Sequence, residues 1–228
     1  MLNHFYKDNL YPLQDRVLKE IGASNTPFYL TGGTVLGRFL LNHRYSDDLD
    51  FFLNSASDFP LKTNQVIEYL KLTFRDVRLN NQQDSFARYF VVEDKLTLKI
   101  EFINDVKYRV GTPIQNKLGL LLDTWDNILS NKVTALSRNA PKDYADVLFL
   151  SLKYPFRWET IINYAKRKDA WINEINISQQ LMNFDLKKLE EVKFPENFDK
   201  NKIIKKYFEV MAKESLHGFD NSLYGHNL

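Results

Sequence analysis

Residues 29–53, YLTGGTVLGRFLLNHRYSDDLDFFL, restrict the fold more than any other part of the chain. Residues 28–30 are short and apolar and read as a buried strand. Gly32 and Gly33 then form a turn, and Val35, Leu36, Phe39 and Leu40 recur at the spacing of one helix face. Adjacent glycines between a strand and a helix let bare backbone amides approach an anion, and the positive end of the new helix points the same way. Residues 42–47 are a polar connection. The strand after them alternates, with Leu49, Phe51 and Leu53 on one face and Asp48, Asp50 and Phe52 on the other. Two carboxylates one residue apart on a strand project side by side, a geometry suited to holding Mg²⁺ against a triphosphate.

With 29 acidic residues in the chain, a chance D-x-D is expected, and an acidic turn entering a strand is the plain alternative. These two acids, however, lie inside an apolar run, where charge is costly unless paired or metal-bound. They also follow the glycine turn by about one helix. Glu101 is the natural third carboxylate. Residues 96–103 alternate, placing Leu96, Leu98, Ile100 and Phe102 on one face and Thr97, Lys99, Glu101 and Ile103 on the other. Neighbouring strands bring such side chains within bridging range of one metal. A solvated Glu101 paired with Lys99 is the competing interpretation, and Asp105 is the competing third acid. Thr31, Thr34 and Ser46 could add hydroxyl donors to a phosphate, and Arg38 and Arg44 could add charge. Arg38 could equally stay in solvent or pair with an acid.

The rest of the chain divides into two halves. A first helix is expected at 12–22, where Leu13, Val17, Leu18 and Ile21 follow helical spacing and Gly22 suits the stop. Asp58 and Pro60 open a further helix, and strands are expected at 77–79, 86–92 and 96–103. After Pro113 the periods turn helical, with helices expected at 125–138, 141–153, 157–168, 170–182 and 202–214. The charged run 187–201 reads as an exposed connection. The aromatic residues, Trp158, Tyr164 and Trp171 among them, match buried helix faces. Residues 1–120 therefore form an α/β unit and 121–228 a helical one.

Composition narrows the chemistry. At 228 residues the chain buries a real core, and 44% apolar with 26% charged residues is ordinary for a globular protein. A net charge of +2 gives no warrant by itself for a nucleic-acid partner. The absence of cysteine excludes disulfides, thiolate metal sites and cysteine nucleophiles, and four scattered histidines argue against a histidine metal site. No run reaches the roughly 18 apolar residues of a membrane span, and no signal peptide is visible, so no membrane partner and a cytoplasmic location are expected.

A last constellation lies at Lys132, Lys142, Asp143 and Asp146, in K-V-T-A-L-S-R-N-A-P-K-D-Y-A-D. Asp143 and Asp146 share a helix face near its start, Lys142 and Asp146 are spaced as an i,i+4 pair, and acids in a first turn suit the helix dipole anyway. Taken alone, these four read as ordinary helix chemistry.

Together the two motifs resemble the AbiEii/DUF1814 nucleotidyltransferases of the DNA polymerase β superfamily. The resemblance rests on Gly32, Gly33, Thr34, Leu36, Arg38, Arg44, Ser46, Asp48, Asp50, Phe51 and Phe52, on Glu101, and on Lys132, Ala135, Leu136, Arg138, Lys142, Asp143 and Asp146. It covers roughly residues 28–150. It implies an α+β fold, in which a polymerase β-like nucleotidyltransferase domain with a small mixed sheet flanked by helices precedes a C-terminal helical bundle that contributes to the nucleotide site. It implies transfer of a nucleotidyl group from an NTP to an acceptor with Mg²⁺ (or Mn²⁺), and in many members a toxin role beside an antitoxin protein, with tRNA ends as acceptor in some. Asp48, Asp50 and Glu101 would hold metal, and Gly32, Gly33, Thr34, Arg38, Ser46, Lys132 and Lys142 would meet the nucleotide. Lys132 would supply charge to phosphate, and Asp143 or Asp146 positioning or proton transfer.

Three functions remain in competition. An RNA acceptor predicts a basic surface, for which Arg157, Lys166, Arg167 and Lys168 are the candidates, although that run is also an ordinary solvated helix face. A small-molecule or protein side-chain acceptor predicts an enclosed, acidic pocket. A scaffold that binds nucleotide or a partner without catalysis would have no need of intact acids and lysines.

Overall fold

The computed structural model describes residues 2–228, which form two compact units. The first unit comprises residues up to Phe39, Tyr45–Lys107 and Thr112–Thr124; the second comprises Leu40–Arg44, Tyr108–Gly111 and Trp125–Leu228.

In the first unit a short helix α1 (Leu2–Phe5) and a π-helical turn (Tyr6–Leu10) run into α2 (Tyr11–Ala23). The chain is thus helical well before the expected start at residue 12. Pro12 falls where the π-helical turn passes into α2, an irregularity that a residue without an N–H suits. Gly22 does not end this helix. It lies inside it, and a Cβ there would come within 2.0 Å of the Leu118 carbonyl oxygen, so close backbone approach requires the glycine. Strand β1 (Tyr29–Thr31) leads through Gly32 into α3 (Gly32–Val35) and a second π-helical turn (Leu36–Leu40). β2 (Leu49–Asn54), α4 (Phe59–Thr73), β3 (Val77–Gln83), β4 (Phe86–Glu93), β5 (Leu96–Asp105), β6 (Ile114–Gln115) and β7 (Leu121–Leu122) follow.

The seven strands make one mixed sheet, in the order β3-β4-β5-β2-β1-β7-β6. β2 runs parallel to β5 and antiparallel to β1, and β7 adds to β1 in parallel. The alternation expected for β2 is observed: Leu49, Phe51 and Leu53 are buried and Asp50, Phe52 and Asn54 are half-buried. An aromatic core fixes this side of the sheet, with Phe102 packed against Phe28 at 4.9 Å and Phe51 at 5.7 Å between ring centroids.

The second unit contains α5 (Trp125–Ala135), which ends in a 3₁₀ turn, α6 (Pro141–Lys153), α7 (Trp158–Lys166), α8 (Glu174–Asn183) and α9 (Lys205–His217). α8 starts four residues later than the expected 170, because Asn173 caps it by accepting the Asn176 amide at 2.9 Å. Trp171, expected in the core, is 87% exposed as a result. α9 ends at Gly218, which takes the left-handed C-cap conformation. The core gathers Trp158, Tyr144, Phe208 and Met211, with Tyr144 stacked on Phe184 at 4.1 Å. The run 187–201 is not simply exposed. It starts within a 3₁₀ turn (Leu186–Glu191), and Leu189, Val192 and Phe194 are buried, so its apolar residues anchor a segment whose charges face outward.

Candidate active site

The first unit assembles an acidic centre at β2 and β5, with Asp50 on β2 and Asp48, expected on the same strand, one residue before it begins. Parallel pairing sets Asp50 opposite Glu101, and both point away from the aromatic core by alternation. Asp105 shares the Glu101 face but stands opposite Asn54, four residues or about 13 Å further along. Its Oδ1 accepts the Val106 amide at 2.9 Å. Of the two competing acids, Glu101 is the one level with Asp50.

The cation among these acids belongs to the chain. The Lys99 ammonium lies 2.9 Å from Asp48 Oδ2 and 3.4 Å from Glu101 Oε1. Partial burial pushes this lysine down, but the hydrogen bond to Asp48 and the charges of Asp48, Glu101 and Asp50 outweigh it and hold the pKa above its ordinary value. Arg88, opposite Glu101 on β4, donates to Glu101 Oε1 at 2.6 Å. As these side chains stand, no three carboxylate or imidazole groups among the described residues are drawn together around one point. By chemistry the set suits a hard divalent cation, since it offers carboxylate oxygens and no soft donor, and it already gathers around an ammonium.

Beside the acids lies the glycine turn. Thr31 is opposite Asp50 in the β1–β2 register, and the next residue, Gly32, has φ +68°. A Cβ on Gly32 would sit 3.2 Å from Asp50 Oδ2, so only glycine leaves that space open. The Thr31 hydroxyl does not cap α3. It donates to Asp123 Oδ2 at 2.6 Å, and both residues are buried. Asp123, at the end of β7, escapes sequence reasoning: a single acid after three leucines carries no pattern.

The approach to Asp48 is held by residues the sequence reading also passed over. Gln14 on α2 donates to the carbonyls of Ser46 and Asp47, each at 3.0 Å, and Tyr6 donates to the Asp47 carboxylate. Gln14 is fully buried in a stripe otherwise built from Leu10, Leu13, Val17, Leu18 and Ile21, and a polar residue at such a position was a legible signal. The Thr34 hydroxyl meets the Asp48 carbonyl and lies 3.1 Å from Ser46 Oγ. Both hydroxyls therefore brace the loop. Arg38 lies over the Tyr11 ring at 4.3 Å, donates to Gln14 at 3.0 Å and pairs with Asp15.

In the second unit Lys132, Asp143 and Asp146 come together, with partners the sequence did not assign. Asp146 is fully buried and accepts Arg44 in a two-pronged pair, Nε to Oδ1 and Nη2 to Oδ2, both at 2.7 Å. His43 Nε2 lies 2.8 Å from Oδ1, and Lys132 Nζ lies 2.8 Å from Oδ2. Lys132 also reaches Asp143 at 2.7 Å, and Arg138 meets the other Asp143 oxygen at 3.0 Å. Burial would raise Asp146, but Arg44 and Lys132 hold its carboxyl well below the usual range. Burial likewise would lower Lys132, and the two aspartates keep it raised. His43 is pushed down by burial and stays neutral; its Nδ1 is buried without a partner. Lys142 is exposed and is not the partner of Asp146.

The expected basic surface is largely spoken for. Lys166 pairs with Glu174 at 2.6 Å and Arg157 with Glu159 at 3.0 Å. Arg167 stacks over Tyr108 at 3.8 Å, and Lys168 donates into Asn127, Ser130 and Asn131.

A mixed sheet with a glycine turn after β1, an acid pair at the start of β2 and a level acid on β5 is the layout of a nucleotidyltransferase. Two crystal structures from Helicobacter pylori share the fold. One, of a candidate nucleotidyltransferase, superposes with a TM-score of 0.60 at 21% identity over 92% of this chain and 94% of that one. The other, JHP933, gives 0.59 at 21% identity over 92% and 91%. Comparison with curated proteins gives no match. The chain belongs to the AbiEii family, described as nucleotidyl transferase AbiEii toxin, type IV TA system, which it matches over residues 16–223. Among the described residues no helix is long and apolar enough to cross a membrane.

Proposed function

We propose that the chain transfers a nucleotidyl group from an NTP to an acceptor, with RNA as the acceptor and Mg²⁺ or Mn²⁺ held by Asp48, Asp50 and Glu101. The observation that carries this reading is the β2–β5 register, which sets Glu101 level with Asp50 beside an open glycine turn. A bound divalent ion supplies charge against the triphosphate and lowers the pKa of the attacking hydroxyl. The chain's own part is to keep that centre preorganised. Gly32 keeps the space beside Asp50 clear for phosphate oxygens, with Gly33 continuing the turn. Gln14, Thr34 and Ser46 fix the backbone that carries Asp48, so the carboxylate needs little reorganisation when substrate arrives.

Lys132, Asp143 and Asp146 act in this reading by fastening α5, α6 and the Leu40–Arg44 segment into one body, since each is spent on buried ion pairs. The support for RNA comes from the family resemblance, and Lys142 is an exposed cation of the motif, as is Arg138. An antitoxin protein as partner follows from membership of a toxin–antitoxin family. The test is incubation with each labelled NTP, Mg²⁺ and, separately, total cellular RNA, protein and metabolites. Label entering RNA supports the reading, and label entering only protein or metabolites replaces the acceptor.

A further inference from the structure

One cation of the acidic centre comes from the strand that carries Glu101. Lys99 precedes Glu101 by two positions on β5 and shares its face, so the strand itself delivers the ammonium to the acids. The contacts at 2.9 Å to Asp48 Oδ2 and 3.4 Å to Glu101 Oε1 join the entry to β2 with β5. Arg88 already meets Glu101, and Lys99 adds a cation that reaches Asp48 as well, which eases the repulsion between like charges on neighbouring segments. The Lys99 side chain is 29% exposed, so a path to solvent exists for an incoming ion and for the departing lysine.

A divalent ion held by all of these acids would lie between Asp48 and Glu101, in the gap that the Lys99 ammonium now fills. Mg²⁺ draws carboxylate oxygens to about 2.0–2.1 Å and tolerates little distortion, and an ammonium left between the same two acids would repel it. Lysine suits such a role because its charge sits on a flexible four-carbon stem. Released, the ammonium remains beside the centre, where a triphosphate brings negative charge.

We propose that Lys99 is a built-in counter-cation that a divalent ion must displace, so that metal binding and release of the Lys99 ammonium are a single event. This rests on Asp48, Asp50 and Glu101 being the metal-holding set. The exchange lowers affinity for bare metal and favours metal that arrives with a nucleotide, since only the nucleotide offers the freed ammonium a new partner.

Two measurements on the full-length protein test it. Brief acetylation read by mass spectrometry follows Lys99 itself, and Mn²⁺ binding is measured by calorimetry. The expected results are a Lys99 that is protected without metal and labelled readily with Mg²⁺, and a Lys99→Met variant that binds Mn²⁺ about tenfold tighter than wild type. Arg88→Met, which also removes a positive charge beside Glu101, is expected to tighten Mn²⁺ far less. If Mn²⁺ binds, and Asp48→Asn abolishes that binding, while Lys99 stays protected, the displacement is wrong and the metal site stands. Equal gains in Lys99→Met and Arg88→Met likewise overturn it, since charge alone would then explain both. No Mn²⁺ bound by wild type or by Lys99→Met overturns the metal site and the displacement together. Should Lys99→Met fail to fold, the labelling of wild-type Lys99 decides.

Discussion

Gly32 leaves little room for a side chain: Asp50 Oδ2 lies 3.2 Å from where its Cβ would stand, so the carboxylate would have to give by a few tenths of an ångström. The turn and the acid on the neighbouring strand are therefore fitted to each other, and the glycine backbone also takes φ +68°. Gly32→Ala is expected to cost about 1–2 kcal/mol from the left-handed conformation, lowering Tm by roughly 2–8 °C for a chain of this size. Nucleotidyl transfer should fall further than that loss explains, because the methyl group pushes against Asp50. Thermal unfolding and turnover measured on the same preparation check both.

Asp123 anchors the same turn from the other side through the Thr31 hydroxyl, at 2.6 Å. Asp123→Ala leaves that buried hydroxyl without its acceptor, at a cost of about 1–3 kcal/mol, whereas Asp123→Asn retains an acceptor oxygen and should lose less. Adding Thr31→Val to Asp123→Ala should recover part of the loss. A double-mutant cycle by urea unfolding measures the coupling.

Asp146 and Asp48 should behave differently when removed. Asp146 is fully buried among Arg44, Lys132 and His43, so Asp146→Ala strands buried cations and is expected to destabilise by about 3–5 kcal/mol. Asp48 is 32% exposed at its side chain, and Asp48→Ala should leave the urea midpoint close to wild type. Equilibrium unfolding of the two variants side by side tests the division of labour.

His43 makes stability fall in mild acid. Burial holds its pKa below the ordinary 6.5, so the unfolded chain takes up a proton on this residue before the folded one does. Its contribution is therefore present in full above about pH 6.5 and is lost as pH falls through the lowered value. Asp146, also held below its ordinary value, acts with the same sign but only near and below 3.8. Unfolding free energy measured from pH 7.5 to 5 should decline for wild type and decline less for His43→Gln.

Much of this was legible because β2 and β5 alternate so cleanly that faces follow from spacing alone. α6 was legible at both ends, since Pro141 starts it and the extended Tyr154 before Pro155 stops it. β6 and β7 were not, because two residues cannot display an alternation. The buried cluster was invisible for another reason. Arg44 and Asp146 stand 102 positions apart, and nothing local in either stretch announces the other. Lys99 was noticed only as an alternative partner of Glu101. Its contact with Asp48 depends on how β2 lies on β5, which single-strand periodicity does not specify.

Asp48, Asp50 and Glu101 are expected to form the working centre of the proposed nucleotidyltransferase. The most direct test compares transfer of label from NTP, with Mg²⁺ and cellular RNA, by wild type, Asp48→Ala and Glu101→Gln at matched folded concentration. Wild type is expected to yield labelled RNA and either variant none above background, while both retain the wild-type melting temperature within a few degrees. Transfer by Asp48→Ala at the wild-type rate would contradict this assignment.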